Sequence, residues 1–453
     1  MTVSIADIQE RALTGPIMEE DAFNLKYSQR LRRIVKEHEI EWPAEQIIPD
    51  GETADKVFAA AIDLISENGI LHMDTNRVIH FTREEIIETA NTRPRELTLG
   101  EGKDAVVLRE RTPSSEFAPA IFGFPGIVTE ELFIPITLSH AKEPSCQGIQ
   151  PAIMQHAWGM ENKAGTPGEL YNVMAESEYN RIVARLAGKP GMPFMEPDSA
   201  TTPFATIASF FLRGYTRTGA HMPCHIFGDM KLTWDRLNLA AFARLCGIPT
   251  WNGAFILLGA YARNAAEYAT AYLGATLALL SYTDGNDMIC GTSDLQGQWS
   301  TREIMRSTSA VDLALERNVH IPVGNHLEGN AGACTEMVVY ELAAQVLAYE
   351  ASGVEFFWGA APSKGLVPNG GTGMETRAVG EFAHAVAGIG PERANELLNQ
   401  ITAKYVDQLA DPPKGKLFVE CYDVATVKPT EEHLAVYARA KEELSKLGIE
   451  YKY

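Results

Sequence analysis

The sequence predicts an α/β protein built on a parallel sheet, and three observations lead there. From about residue 120 onward, short apolar runs alternate with longer amphipathic ones, the alternation that crossover helices on a parallel sheet demand. The connections are short, and several apolar runs end in glycine plus polar residues, as strands do when their C-terminal ends build a site. The 453-residue chain carries no internal repeat or low-complexity tract, so one large core with helical additions accommodates it. The pattern alone leaves two architectures open, a (β/α)8 barrel and a doubly wound sheet.

Taken in order, the first fifty residues are polar and mixed in charge, with Glu19-Glu20-Asp21 and the run from Arg30 to Glu41. They read as exposed helix or extended arm without a core. After Gly51, Thr53 caps a helix that carries Val57, Ala60, Ala61, Leu64 and Ile65 on one face and stops at Asn68-Gly69. Thr82 with Glu85 three residues on is a capping box for the next helix, ended by Pro94. Glu96 to Leu99 and Ala105 to Leu108 read as a hairpin. Strands are expected at Phe204–Leu212, Pro249–Leu258, Asp287–Gly291, Val319–Val323 and Val354–Trp358. Helices are expected at Leu232–Cys246, Ala265–Tyr282, Arg302–Arg317 and Cys334–Ser352. This divides the chain into an N-terminal helical and hairpin cap, 1–115, and a main body with a C-terminal helix, 116–453.

Several segments carry a family resemblance. They are Ala187-Gly188-Lys189-Pro190-Gly191-Met192-Pro193-Phe194-Met195-Glu196-Pro197, Asn68-Gly69-Ile70 through Arg77, Gly324-Asn325, Ala331 through Met337, Thr372 through Arg377, Glu420 through Val424 and Lys428 through Glu432. From about residue 50 to the C-terminus the chain resembles the monomethylamine:corrinoid-protein methyltransferases, which insert pyrrolysine at an amber codon. The resemblance implies a (β/α)8 TIM barrel and transfer of a methyl group to a corrinoid carried by a partner protein. It places Met195 at the pyrrolysine position. A thioether lacks the electrophilic imine that captures a primary amine, so monomethylamine is not the expected donor. Two acidic positions of the family align with Pro223 and Gly253, which removes the counter-charges of a cation, and a glutamine aligns with His326.

Composition agrees with a soluble enzyme. A net charge of −20 and a pI near 5.0 exclude nucleic-acid binding, which needs clustered Lys and Arg. Cys146, Cys224, Cys246, Cys290, Cys334 and Cys421 show no paired motif and fit a reducing compartment. No signal peptide and no run of membrane-spanning length is seen, so a cytoplasmic protein is expected. A homo-oligomer is expected as well.

The candidate site residues fall at strand ends. Trp251, Asn252, Gly253, Asp294 and Trp358 are assigned to substrate binding, with Met195 and Phe194 added by the resemblance. His326 is the candidate general acid, since imidazole titrates near working pH, against the alternative of a structural loop histidine. Asn325 and Glu336 join it as catalytic candidates because the resemblance retains their segments. His221, Cys224 and His225 could share a zinc ion if helical, or be a packed cysteine between loop histidines. Lys364 through Gly373 opens a helix whose amides could take an anion, unless its glycines serve only to turn the chain.

Methyl transfer from an unreactive donor is a leaving-group problem. A phenolate, whose conjugate acid titrates near ~10 by analogy with tyrosine, leaves more easily than an alkoxide. The sequence therefore points to O-demethylation of an aryl methyl ether. The alternatives are a quaternary or N-methylated amine held in an aromatic cage of Trp251 and Trp358, and a homologue without activity.

Overall fold

The computed structural model describes residues 3–92, 94–211, 215–283, 287–290 (as backbone) and 293–452. Seven strands run parallel: β1 (Ala120–Gly123), β2 (Cys146–Ile149), β3 (Met222–Phe227), β4 (Thr250–Phe255), β5 (Asp287–Cys290), β6 (Val323–Glu328) and β7 (Phe356–Ala361). From β3 to β7 each pairs with the next, β7 pairs with β1, and β1 with β2. The gap between β2 and β3 is filled by residues 193–195. Ile149 bonds to both Pro193 and Met195 on one side (Ile149 N to Pro193 O, 3.1 Å; Met195 N to Ile149 O, 2.9 Å), and Phe194 N donates to Gly219 O at 2.8 Å on the other. Eight segments thus close a circle.

One helix follows each segment: α1 (Glu130–Ala141), α2 (Pro167–Leu186), α3 (Pro203–Ser209), α4 (Trp234–Cys246), α5 (Ala265–Leu280), α6 (Arg302–Asn318), α7 (Glu336–Glu350) and α8 (Gly373–Val386). This is the (β/α)8 barrel, and the doubly wound alternative is gone. No helix among the described residues is long and apolar enough to cross a membrane.

The interior is filled in layers. Phe122 of β1 and Phe356 of β7 meet edge to face at 5.8 Å. They fit because Gly148 and Gly324 lie opposite: a Cβ at either would sit 2.2 or 2.1 Å from a ring carbon. The hairpin of Glu96–Leu99 and Val106–Arg109 plugs this end, its Leu99, Val106 and Leu108 sharing a cluster with Phe122, Phe356 and Met195.

Helix α5 is buried all round, every residue of it. Such a helix needs cover on its outer face, and the N-terminal segment supplies it. Of the two alternatives, exposed helix or extended arm, helix is what forms, at Ile5–Thr14 and Glu20–Glu37, but these helices are not without a core: they bury Ile8, Phe23, Tyr27, Leu31 and Ile34 in the main one. The helix Gly51–Asn68 does form, though Asp50 rather than Thr53 is its cap. The Thr82–Glu85 capping box and the hairpin stand where they were expected.

The misplaced strands have local causes. The Phe204–Leu212 run is helix α3, because Thr202 caps it (Ala205 N to Oγ1, 3.2 Å) and Pro203 is pre-set for the first turn; Leu212 lies outside the described residues. Val319 still bonds helically to Leu315, so β6 starts only at Val323, and β7 likewise starts at Phe356. Strand β5 covers 287–290, while Gly291 is outside the described residues.

Candidate active site at the barrel mouth

The C-terminal ends of the strands surround a cavity of about 780 Å³. Side chains alternate along a strand, so the inward set is Pro223, His225 and Phe227 of β3, Trp251 and Phe255 of β4, His326 and Glu328 of β6, and Trp358 of β7. Gln150, Glu196 and Asp198, from just past β2 and residues 193–195, complete its polar wall.

Two groups of carboxylates face this space. Gln150 Nε2 donates to Glu196 Oε1 at 3.1 Å and to Asp198 Oδ2 at 2.5 Å, and Trp251 Nε1 donates to Glu196 Oε2 at 2.9 Å. Behind them Glu176 is buried, accepting from Ser199 N and from the Tyr215 hydroxyl. Burial pushes the pKa of Glu196 and of Asp198 up, and for Asp198 the charges of Glu196 and Glu176 add to it. Glu328 stands separately, pushed up to about 8 by burial and opposed only by Lys364.

The other walls are aromatic. His326 lies flat on Trp358, with Trp299 edge-on at 5.1 Å and Phe124 at 5.6 Å. Gly359, at φ +103°, makes this possible, since a Cβ there would lie 2.3 Å from the His326 ring. His326 Nε2 is 3.3 Å from Glu328 Oε1, but the alignment is not that of a hydrogen bond. Burial lowers His326 to about 3. His225 stands edge-on to Trp251 at 4.1 Å, and it too falls to about 3, by burial and then by Arg236. Both imidazoles are neutral at working pH.

The remaining candidates lie elsewhere. Met195 is 1% exposed in the layer beneath the cavity, and its neighbour Phe194 points the other way into a cluster with Cys146 and Val183. Gly253 shares the inward face of β4, whereas Asn252 faces the helices. Asn325 also faces outward, its Nδ2 donating to Asp312 at 2.6 Å. Glu336 begins α7 and accepts from Arg439 at 2.8 Å, outside the cavity. Asp294 closes its own loop by accepting from Gln296 N and Gln298 N, both at 2.9 Å. Gly291 and Thr292, beside it, are outside the described residues.

The zinc trio does not converge. The segment is strand, so Cys224 packs outward with Met222 and Ile226 while His225 faces the cavity. Among the described residues no group of three His, Cys, Asp or Glu side chains is placed to hold a metal ion. The residues do not fit zinc. The amides opening α8 are likewise taken: Thr372 N by Glu375, Gly373 N by Ser139 and Met374 N by Thr372. That leaves no anion site there.

The sequence reading missed Gln150, Glu196, Asp198, Arg236, Trp299 and Glu328 as site residues. Glu328 carried a signal, being two residues from His326 and so on the same strand face. Glu196 and Asp198 flank Pro197 directly after Met195, so the cavity carries carboxylates although Pro223 and Gly253 offer none.

A closed barrel with a deep acidic and aromatic mouth at its strand ends defines an enzyme of small-molecule chemistry. The chain belongs to the monomethylamine methyltransferase MtmB family, whose model matches residues 3–449. It is 29% identical over 450 residues to monomethylamine methyltransferase MtmB of Methanosarcina mazei and to MtmB2 of Methanosarcina barkeri, covering 98% of this chain and 97% of each relative. The crystal structure of the Methanosarcina barkeri monomethylamine methyltransferase matches with a TM-score of 0.96 at 28% identity, over 100% of this chain and 99% of that one. The hydroxylamine complex of MtmB matches to the same extent. The protein is a methyltransferase.

Proposed function

We propose that the protein transfers a methyl group from an N-methylated cation to the corrinoid of a partner protein, without pyrrolysine. One observation carries this reading: the carboxylates of Glu196, Asp198 and Glu328 share a cavity with the indoles of Trp251, Trp299 and Trp358. Carboxylates supply counter-charge and indole faces attract a cation, by about 0.5–2 kcal/mol each. Every residue of the 453 is a standard amino acid, so no imine is available for adduct capture. A quaternary nitrogen needs none, because it leaves as a neutral tertiary amine, keeping the electron pair of the broken C–N bond. The corrinoid supplies the nucleophilic cobalt(I) that accepts the methyl group. This chain's share is to hold the nitrogen against its carboxylates, exclude water and aim the methyl group out of the mouth.

A second reading, the aryl methyl ether, draws on the same indoles and on Glu328, which holds its proton up to about 8 and would give it to a leaving phenolate. The two separate in one experiment. Under anaerobic conditions the enzyme and a reduced corrinoid protein are given tetramethylammonium, trimethylamine, monomethylamine and a set of methoxyarenes in turn. The methylcorrinoid spectrum is expected with N-methyl cations. Its appearance with methoxyarenes alone would replace the first reading by the second.

A further inference from the structure

A methylated nitrogen occupies little of this cavity: about 780 Å³ lies in the range of roughly 300–1,000 Å³ that holds much larger ligands. The far wall holds a guanidinium. Arg236, in the first turn of α4, lines the cavity and lies 4.2 Å over the Phe227 ring. Among the described residues it has no carboxylate partner; the groups that act on it are the Tyr282 phenol and the Cys224 thiol. Asp235, next to it and also lining the cavity, is exposed and forms no ion pair with it among the described residues. Thr233, also lining the cavity, occupies the cap position of α4 without capping it.

Arg236 stands on α4, a different element from those that carry the acidic wall. Among the described residues Lys364 alone of the cations acts on Glu328, and no cation acts on Glu196 or Asp198. Charge is thus divided across the cavity, with Glu196, Asp198 and Glu328 on one side, Lys364 beside Glu328, and Arg236 on the other side with Asp235 next to it in the chain.

We infer that the methyl donor is bipolar, with its N-methyl cation at Glu196, Asp198 and Glu328 and an anionic end, of carboxylate chemistry, on Arg236. This rests on the cation reading above. A guanidinium binds a carboxylate through two parallel hydrogen bonds, and the stack on Phe227 holds its plane.

The test uses ω-trimethylammonio carboxylates with one to four methylenes between the charges, and the primary amide of each, which keeps the cation and removes the anion. Binding is read from quenching of the intrinsic tryptophan fluorescence without the corrinoid protein, and turnover from the methylcorrinoid spectrum with it. One chain length is expected to bind best, its amide about 10–100-fold more weakly, the range for losing a charged hydrogen-bonded partner. Arg236→Gln should shrink that ratio to within about threefold, and Arg236→Lys should restore part of it. Equal binding of carboxylate and amide by the unaltered enzyme overturns the inference, whatever the variants do. If tetramethylammonium is bound and demethylated as well as any zwitterion, only the anionic end is refuted. If no cation of either kind binds and methoxyarenes react, the cation reading has failed with it.

Discussion

The imidazole of His326 lies against the indole of Trp358 with 3.9 Å between ring centroids and 7° between planes. A ring so placed, buried and lowered to about 3, is a neutral slab of the cavity wall and not an imidazolium. The expectation of a general acid at this position gives way to one of shape. His326→Phe should keep the methyl-transfer rate within a few-fold, while His326→Ala should open a void beside Trp358 and cost roughly 2–4 kcal/mol of stability. The unfolded chain takes up this proton near 6.5 and the folded one only near 3, so stability due to this group falls as pH drops through that window. An NMR titration of His326 with a midpoint near 6.5 would overturn the argument.

Glu328 has the opposite sign. Its folded pKa of about 8 exceeds the unfolded value of 4.5, so the folded state holds the proton in between, and stability falls as pH rises from 4.5 to 8. At about 1.36 kcal/mol per unit the cost is on the order of a few kcal/mol. Glu328→Gln should therefore raise Tm at pH 8.5 and leave it nearly unchanged at pH 5. The same variant should weaken binding of a methylated cation, and the unaltered enzyme should release a proton on binding it at pH 7. Calorimetry in buffers of different ionisation enthalpy reads that proton directly. Heat independent of buffer would mean that no carboxylate ionises on binding.

Cys224 faces the helices, so Cys224→Ser should leave methyl transfer intact while costing about 1–3 kcal/mol for a hydroxyl in an apolar setting. Metal analysis should find substoichiometric zinc, and chelators should not inhibit. Stoichiometric zinc lost together with activity in that variant would restore the metal site.

How much of this was legible follows from what each residue answers to. Helices α5, α6 and α7 and strand β4 were visible because their apolar periodicity is their own. Strand β1 was not, because it is only four residues long, and β2, β3 and residues 193–195 were not, because they carry glycine, proline or polar residues at inward positions: Gly148, Pro193, Pro223 and His225. What makes them strands is the neighbour on each side, a tertiary fact. The site divides the same way. Trp251, Trp358 and His326 stood at recognisable strand ends, whereas Asn252 and Asn325 stood one residue out of phase and so face the helices. Register within a strand decided which of two adjacent polar residues reached the cavity.

Glu341 of α7 touches nothing in the cavity yet holds three of its walls. Its Oε1 accepts from Ser300 Oγ at 2.7 Å, Asn330 N at 3.0 Å and Asn330 Nδ2 at 2.7 Å, and its Oε2 accepts from Ala331 N at 2.9 Å. Ser300 follows Trp299, and Asn330 and Ala331 follow Glu328. The carbonyls of Gly329 and Ala331 in turn accept from Lys364 N and Ser363 N, at 2.9 and 2.8 Å, where Ser363 and Lys364 both have positive φ (51° and 60°). Those left-handed residues are costly on their own and persist because the surroundings over-determine them. Glu341→Gln preserves the volume but turns one acceptor into a donor facing other donors, leaving at least one buried N–H unpaired at about 1–3 kcal/mol. The expected result is a folded enzyme with lowered Tm, a changed Trp299 emission and donor affinity reduced about 10-fold, with a smaller change in the rate at saturation. Glu341→Asp, which keeps the charge, should recover part of the affinity. If Glu341→Gln lowers Tm but leaves both donor affinity and Trp299 emission untouched, the carboxylate serves the fold alone and does not position the mouth.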